Sequence, residues 1–165
     1  MTATETTGTT KTKTTTSTRK ARLDLVTPWR EGYDAMLAFD RAVGECSLDE
    51  NLRNLLKQRA SQLNGCAYCL DMHAKDARAA GESQQRYDVL QAWREVDLFS
   101  ERKRAALALT EAITLVADDH VPDDVVDAAR EHFDDRELAE LVFTVVVINS
   151  WNRIAITSRI PLPPA

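Results

Sequence analysis

The sequence predicts an all-α fold, a compact bundle of about six to seven helices behind a disordered tail. Apolar residues recur at helical spacing from residue 29 onward, and no stretch between turn signals sustains the period-two alternation of a half-buried strand. The chain has 165 residues, 44% of them hydrophobic, which suits one domain with an ordinary core.

Residues 1–22 alternate Thr with small and charged residues and hold almost no large apolar side chain, so they cannot repay the entropy of folding. Five basic residues (Lys11, Lys13, Arg19, Lys20, Arg22) against Glu5 give this tail a charge of +4, which leaves −9 for residues 23–165 of the total of −5. An acidic domain is not expected to bind nucleic acid. No apolar run of signal-peptide type follows the first residues, and the run from Val145 to Ile148 is too short to cross a bilayer, so a cytoplasmic protein with no membrane partner is expected. A mitochondrial transit peptide is the competing reading of the tail, but the tail has no amphipathic apolar face.

A first helix is expected from about Glu31 to Val43, ended by Gly44. Ser47-Leu48-Asp49-Glu50 matches a capping box, with Ser47 as the cap of a second helix reaching about Leu63. Asn64-Gly65 then breaks the chain, and a third helix runs to about Ala80, where Gly81 is the stop. A fourth starts near Ser83 and includes Tyr87, Leu90 and Trp93. Ser100 caps a fifth, Glu101 to about Ala117, on which Ala106, Leu109, Ile113 and Val116 recur at helical spacing. Pro122 suits the first turn of a short sixth. Asp134-Asp135-Arg136-Glu137 opens a last long helix to about Ser158. Its β-branched run Val145-Val146-Val147-Ile148 could be a strand on propensity, but its flanks are helical and no partner strand is visible. Trp93, Trp151, Phe99 and Phe143 read as core or subunit-interface anchors.

The chemistry lies in Asn64-Gly65-Cys66-Ala67-Tyr68-Cys69-Leu70-Asp71-Met72-His73. Two cysteines three apart at a helix start meet unpaired backbone N–H groups and the positive end of the helix dipole, which favour a thiolate. Spacings of three, four and seven put Cys66, Cys69 and His73 on one stripe, and Cys69 is the thiol that His73 reaches. Cys69 therefore reads as the attacking sulfur, Cys66 as the resolving sulfur and His73 as the base. A zinc site would need a fourth ligand, and the spacing of Cys46, His120 and His132 singles none of them out. No metal and no cofactor is expected, and Cys46 reads as a small apolar filler.

From Leu52 to Glu82 the chain resembles the core of the alkyl hydroperoxidase D family, in the carboxymuconolactone decarboxylase-like superfamily, on Arg59-Ala60-Ser61-Gln62-Leu63-Asn64-Gly65-Cys66-Ala67-Tyr68-Cys69 and Met72-His73-Ala74-Lys75-Asp76-Ala77-Arg78. Ala92-Trp93-Arg94-Glu95, Arg104 to Ala112 and Ile148-Asn149-Ser150-Trp151-Asn152-Arg153 extend the likeness from about Thr27 to Ile160. The resemblance implies an all-helical fold, a homotrimer or homohexamer, and thiol peroxidase activity sustained by a disulfide-reducing protein or dithiol donor. It implies the same roles for Cys69, Cys66 and His73. Twelve residues before the first cysteine the family usually places a relay glutamate, and this chain has Asn54, which hydrogen-bonds but cannot shuttle a proton. Glu50, one turn earlier, is the acid that could substitute, and Tyr68 stands where the best-studied members often have histidine.

The leading expectation is a thiol peroxidase for hydrogen peroxide or an organic hydroperoxide. The alternative is a disulfide reductase or redox-sensing exchange protein that uses the same pair. Ring-opening decarboxylation, a third activity of the superfamily, does not depend on a C-x-x-C.

Overall fold

A computed structural model describes residues 19–163, and among them every regular element is helical. These are α1 (Arg30–Gly44), α2 (Glu50–Asn64), α3 (Ala67–Ala79), α4 (Gln84–Asp88), a 3₁₀ helix (Leu90–Glu95), α5 (Glu101–Thr114), α6 (Val116–Asp119), α7 (Asp123–Arg130) and α8 (Asp135–Ser158). Helix α2 is central and packs on α3, α5 and α8, while α1 lies on α8 and α7 on α5. The main core gathers Leu52, Leu55 and Leu56 of α2, Leu107 and Leu109 of α5, and Leu141 and Val145 of α8. Leucine side chains buried this fully contribute about 1.5–3 kcal/mol each relative to exposure.

Local signals place most of the boundaries. Asp134 accepts from the N–H of Glu137 at 2.8 Å, while the Glu137 carboxylate accepts from that of Asp134 at 3.2 Å, so the expected capping box opens α8. Ser100 caps α5 through the N–H of Lys103. The run Val145–Ile148 is helical, with Val145, Val147 and Ile148 buried. Helix α8 is long and apolar enough to cross a membrane by length and composition, but half of its most apolar window is buried inside the bundle.

Several boundaries differ from expectation. Helix α1 ends at Gly44, which is its last helical residue, and Glu45 forms the cap. Ser47 does not cap α2: Asp49 does, accepting from Leu52 N–H at 3.0 Å. The Ser47 hydroxyl and N–H instead donate to Glu140 of α8, at 2.6 and 3.1 Å. The fourth helix breaks into α4 and the 3₁₀ helix, where Ala92 leaves helical φ/ψ, and the fifth stops at Thr114 before the single turn of α6. Pro122 is the cap residue before α7 rather than a member of its first turn.

Residues 1–18 of the expected tail lie outside the described residues. Arg22, at its far end, is tied down. Its backbone N–H donates to Ser158 O at 2.8 Å, and its guanidinium donates to the carbonyls of Ile156 and Thr157 at the end of α8.

Candidate active site

The turn between α2 and α3 builds the site. Gly65 takes φ 68°, a left-handed conformation that a residue with a Cβ adopts at a cost, and its N–H and that of Cys66 donate back to Gln62 O and Ser61 O. That turn delivers Cys66 as the residue that caps α3, and Cys69 follows in the first turn. Their sulfurs stand 2.6 Å apart as free thiols, and they are 1% and 2% exposed. A disulfide needs them only about half an ångström closer.

The two sulfurs border different cavities. Cys69 lines one of about 210 Å³, with His73, Met72 and Tyr68 of α3, Lys57 of α2, Tyr33 and Asp40 of α1, and Trp151 and Ile148 of α8. Cys66 lines another of about 350 Å³, with Arg19, Arg22, Arg159 and the segment Ile160–Leu162. Tyr68, Ala155 and Ile160 border both.

A third residue acts on both sulfurs. Asn152, fully buried on α8, accepts from Asn64 Nδ2 at 2.8 Å and donates to Ser61 Oγ at 3.0 Å, so α2 and α8 fix its amide beside the dithiol. The hydrogen bond with Cys69, chiefly, lowers the Cys66 pKa against the opposing effect of burial. The backbone N–H groups of Cys69 and Tyr68 and the Asn152 amide add field without hydrogen bonds of ordinary geometry. The Cys69 thiol is held up, first by that same shared hydrogen bond, then by burial and the charge on Cys66. One thiolate is thus stabilised across the pair and two are not, and Cys66 is the sulfur that ionises the more readily.

His73 is 5% exposed, and neither ring nitrogen has a hydrogen-bond partner among the described residues. Asp76 Oδ2, at 3.6 Å from Nδ1, is too far for one. Burial, and then the Lys57 ammonium, push the imidazole pKa down to about 3, so the ring is neutral at physiological pH. Lys57 is itself held by Asp40 at 3.4 Å.

The structure therefore brings Cys66, Cys69, His73 and Tyr68 together and leaves two candidates outside. Asn54 is buried with an unpartnered Nδ2 and does not line the cavity. Glu50 is exposed in the first turn of α2 and does not line it either. Trp151 is a cavity wall, set edge-on to Tyr33 at 5.6 Å, and Phe143 is 54% exposed, so neither is a simple core anchor. Cys46 is half-buried against the core, away from the pair. The sequence does not single out Lys57 or Asp40, and from its place in a buried helix Asn152 is expected only to satisfy neighbouring polar groups. Only Asn152 had a sequence signal, an amide in the apolar stretch of α8 opposite another amide at the dithiol turn.

Comparison with known proteins gives a family and a fold. Residues 30–112 match the model of the carboxymuconolactone decarboxylase family. The uncharacterized protein YdfG of Bacillus subtilis is 44% identical over 126 residues, 76% of this chain and 86% of that protein. A crystal structure of a protein of unknown function from Agrobacterium tumefaciens, suggested by its name to be the antioxidant defence protein AhpD, superposes with a TM-score of 0.85 at 36% identity. That alignment covers 88% of this chain and all of the other. The debrominase Bmp8 shares the fold at 17% identity and a TM-score of 0.71, over 79% of this chain and 70% of its own.

Proposed function

Because the chain belongs to the carboxymuconolactone decarboxylase family and is AhpD-like, we propose that it is a thiol-dependent peroxidase that cycles Cys66 and Cys69 between dithiol and disulfide. The fold alone does not choose the reaction, since a debrominase shares it, and the site is what supports this reading. The observation that carries the reading is the position of Cys69. Its sulfur is 2% exposed and borders a cavity of about 210 Å³, a space for a small hydroperoxide and not for a loop of protein bearing a disulfide.

The steps follow from the geometry. The Cys66 thiolate accepts the Cys69 proton across 2.6 Å as substrate enters. The Cys69 thiolate attacks the terminal peroxide oxygen, the O–O bond breaks, and the leaving oxygen takes a proton from the cavity, where His73 and Lys57 are the groups that pass one. A neutral, low-pKa imidazole acts here as a relay and not as a resting ion-pair partner. Cys66 then displaces hydroxide from the sulfenic acid, and its proton leaves with that hydroxide as water. A thiol donor restores the pair. Cytoplasmic reducing conditions suit the cycle.

The second reading, disulfide exchange, draws on Asn54 in the place of an acid and on the readier ionisation of Cys66. Single-turnover oxidation by hydrogen peroxide and by an organic hydroperoxide separates the two. The peroxidase loses two thiols rapidly and stoichiometrically, whereas sluggish loss with rapid attack on a model disulfide belongs to the exchange protein.

A further inference from the structure

In-line displacement at sulfur fixes the side from which each reactant must come. When Cys66 attacks the Cys69 sulfenic acid, hydroxide departs on the side away from Cys66, into the cavity that Cys69 borders. In the disulfide that results, a nucleophile that expels Cys69 must reach Cys66 from the side away from Cys69. Cys66 lines a different cavity, which shares Tyr68, Ala155 and Ile160 with the first. Two cavities, one lined by each cysteine, thus offer oxidant and reductant separate approaches to the pair.

The second cavity has a distinct chemistry. Among the described residues, Arg19, Arg22 and Arg159 line it, no acidic side chain does, and the remaining wall is largely apolar, with Ala155, Ile156, Ile160 and Leu162 among it. Neither Arg19 nor Arg159 takes part in an ion pair among the described residues, whereas Arg22 is committed to the end of α8. The wall of the peroxide cavity, by contrast, balances Lys57 with Asp40.

We propose that the Cys66 cavity is the entrance for the reducing substrate and that it selects a low-molecular-weight thiol carrying a carboxylate, whose charge Arg159 and Arg19 hold while its sulfur faces Cys66. The proposal rests on the dithiol cycle above and names its electron donor. A first thiolate attacks Cys66 Sγ, the bond between the cysteines breaks, and Cys69 leaves as thiolate. A second thiolate then attacks the donor sulfur of the mixed disulfide and releases Cys66 as thiolate. Two donor thiols become one disulfide, and two electrons pass to the cysteine pair.

The test begins from full-length protein oxidised to the Cys66–Cys69 disulfide with diamide, so it does not depend on reaction with a peroxide. Anaerobic reduction is followed with mercaptopropionate, mercaptoethanol and cysteamine, each rate divided by the thiolate fraction of its donor. At low salt the anionic thiol should react about tenfold faster than the neutral one and the cationic thiol slowest, with the gap closing as salt screens the arginines. Arg159→Asn, which tolerates the left-handed φ of 55° at this position, should reduce that preference, and with Arg19→Gln abolish it. Acid quenching should trap the mixed disulfide on Cys66. Rates indifferent to donor charge, a preference that survives both substitutions, adducts on Cys69, or reduction by a protein dithiol only would each overturn the proposal. Failure of the peroxidase reading would show elsewhere, as a Cys69 thiol inert to peroxide.

Discussion

Lys57 and His73 share one cavity wall, and the ammonium adds to burial in holding the imidazole pKa down near about 3. The carboxylate nearest in role, Asp40, is 3.4 Å from Lys57 and offsets only part of that charge. Replacing Lys57 with Gln removes the positive field, so the His73 titration followed by proton NMR should move up toward its ordinary value of 6.5. An unmoved titration would show that Asp40 already neutralises the ammonium at the ring.

The same depressed pKa makes stability depend on pH. The unfolded chain binds a proton at His73 below about 6.5 and the folded chain does not until about 3, so folding is disfavoured progressively as pH falls through that window. The slope reaches at most about 1.4 kcal/mol per pH unit. Glu111, Glu137 and Glu140 also have lowered pKa values, but they act below the carboxylate value of 4.5. Denaturant unfolding between pH 6.5 and 4.5 therefore isolates the histidine, and His73→Gln should flatten the curve there while leaving the lower limb.

Mild oxidation should give an intramolecular Cys66–Cys69 disulfide and leave Cys46 free, because only the pair stands within bonding reach. Cys69→Ser should abolish reaction with peroxide. Cys66→Ser should leave a trappable sulfenic acid on Cys69, formed more slowly than in the parent because the thiolate that accepts the Cys69 proton is gone. A Cys66 variant wholly inert to peroxide, with Cys69→Ser still active, would exchange the two roles.

Asn152 holds the dithiol from α8. Asn152→Ala should move the Cys66 titration, read from ultraviolet thiolate absorbance, to higher pH. It should also cost about 1–3 kcal/mol in stability, since Ser61 and Asn64 lose a buried partner. A stability loss with an unshifted titration would make Asn152 a packing residue only.

What could be read from the chain and what could not divide along contact distance in sequence. Asp134, Ser100 and Gly65 find their partners Glu137, Lys103 and Gln62 within five residues, and the sequence marks all three as helix ends. Ser47 failed because its partner, Glu140, lies 93 residues away and outbids the local N–H of α2. The dithiol and His73 sit within one turn and helix. The charge that governs His73 comes from α2, and its counter-ion from α1, so periodicity within α3 carries no trace of either. Likewise the helical stripe put Cys66 and Cys69 on one face but could not show that the two sulfurs open on different cavities.

Asn54→Glu tests whether the missing acid can be restored. Position 54 is three residues before Lys57 on α2, a spacing at which a carboxylate and an ammonium meet on a helix surface. The asparagine is 9% exposed and its Nδ2 has no partner, so the position is already polar, and a carboxylate there gains Lys57 as compensation for its burial. Drawing the ammonium away weakens one of the two causes that depress His73, and the imidazole pKa rises. A stronger base accepts a proton more readily, so peroxide reduction should quicken by on the order of tenfold, the scale of about 1.4 kcal/mol in the barrier. The pH–rate profile of thiol oxidation should break at higher pH than in the parent, where His73 titrates near about 3. A faster rate without a shifted break would place the new carboxylate on the substrate rather than on the histidine. Loss of stability with no gain in rate would mean that Asn54, outside the cavity as it stands, serves the packing of α2 alone.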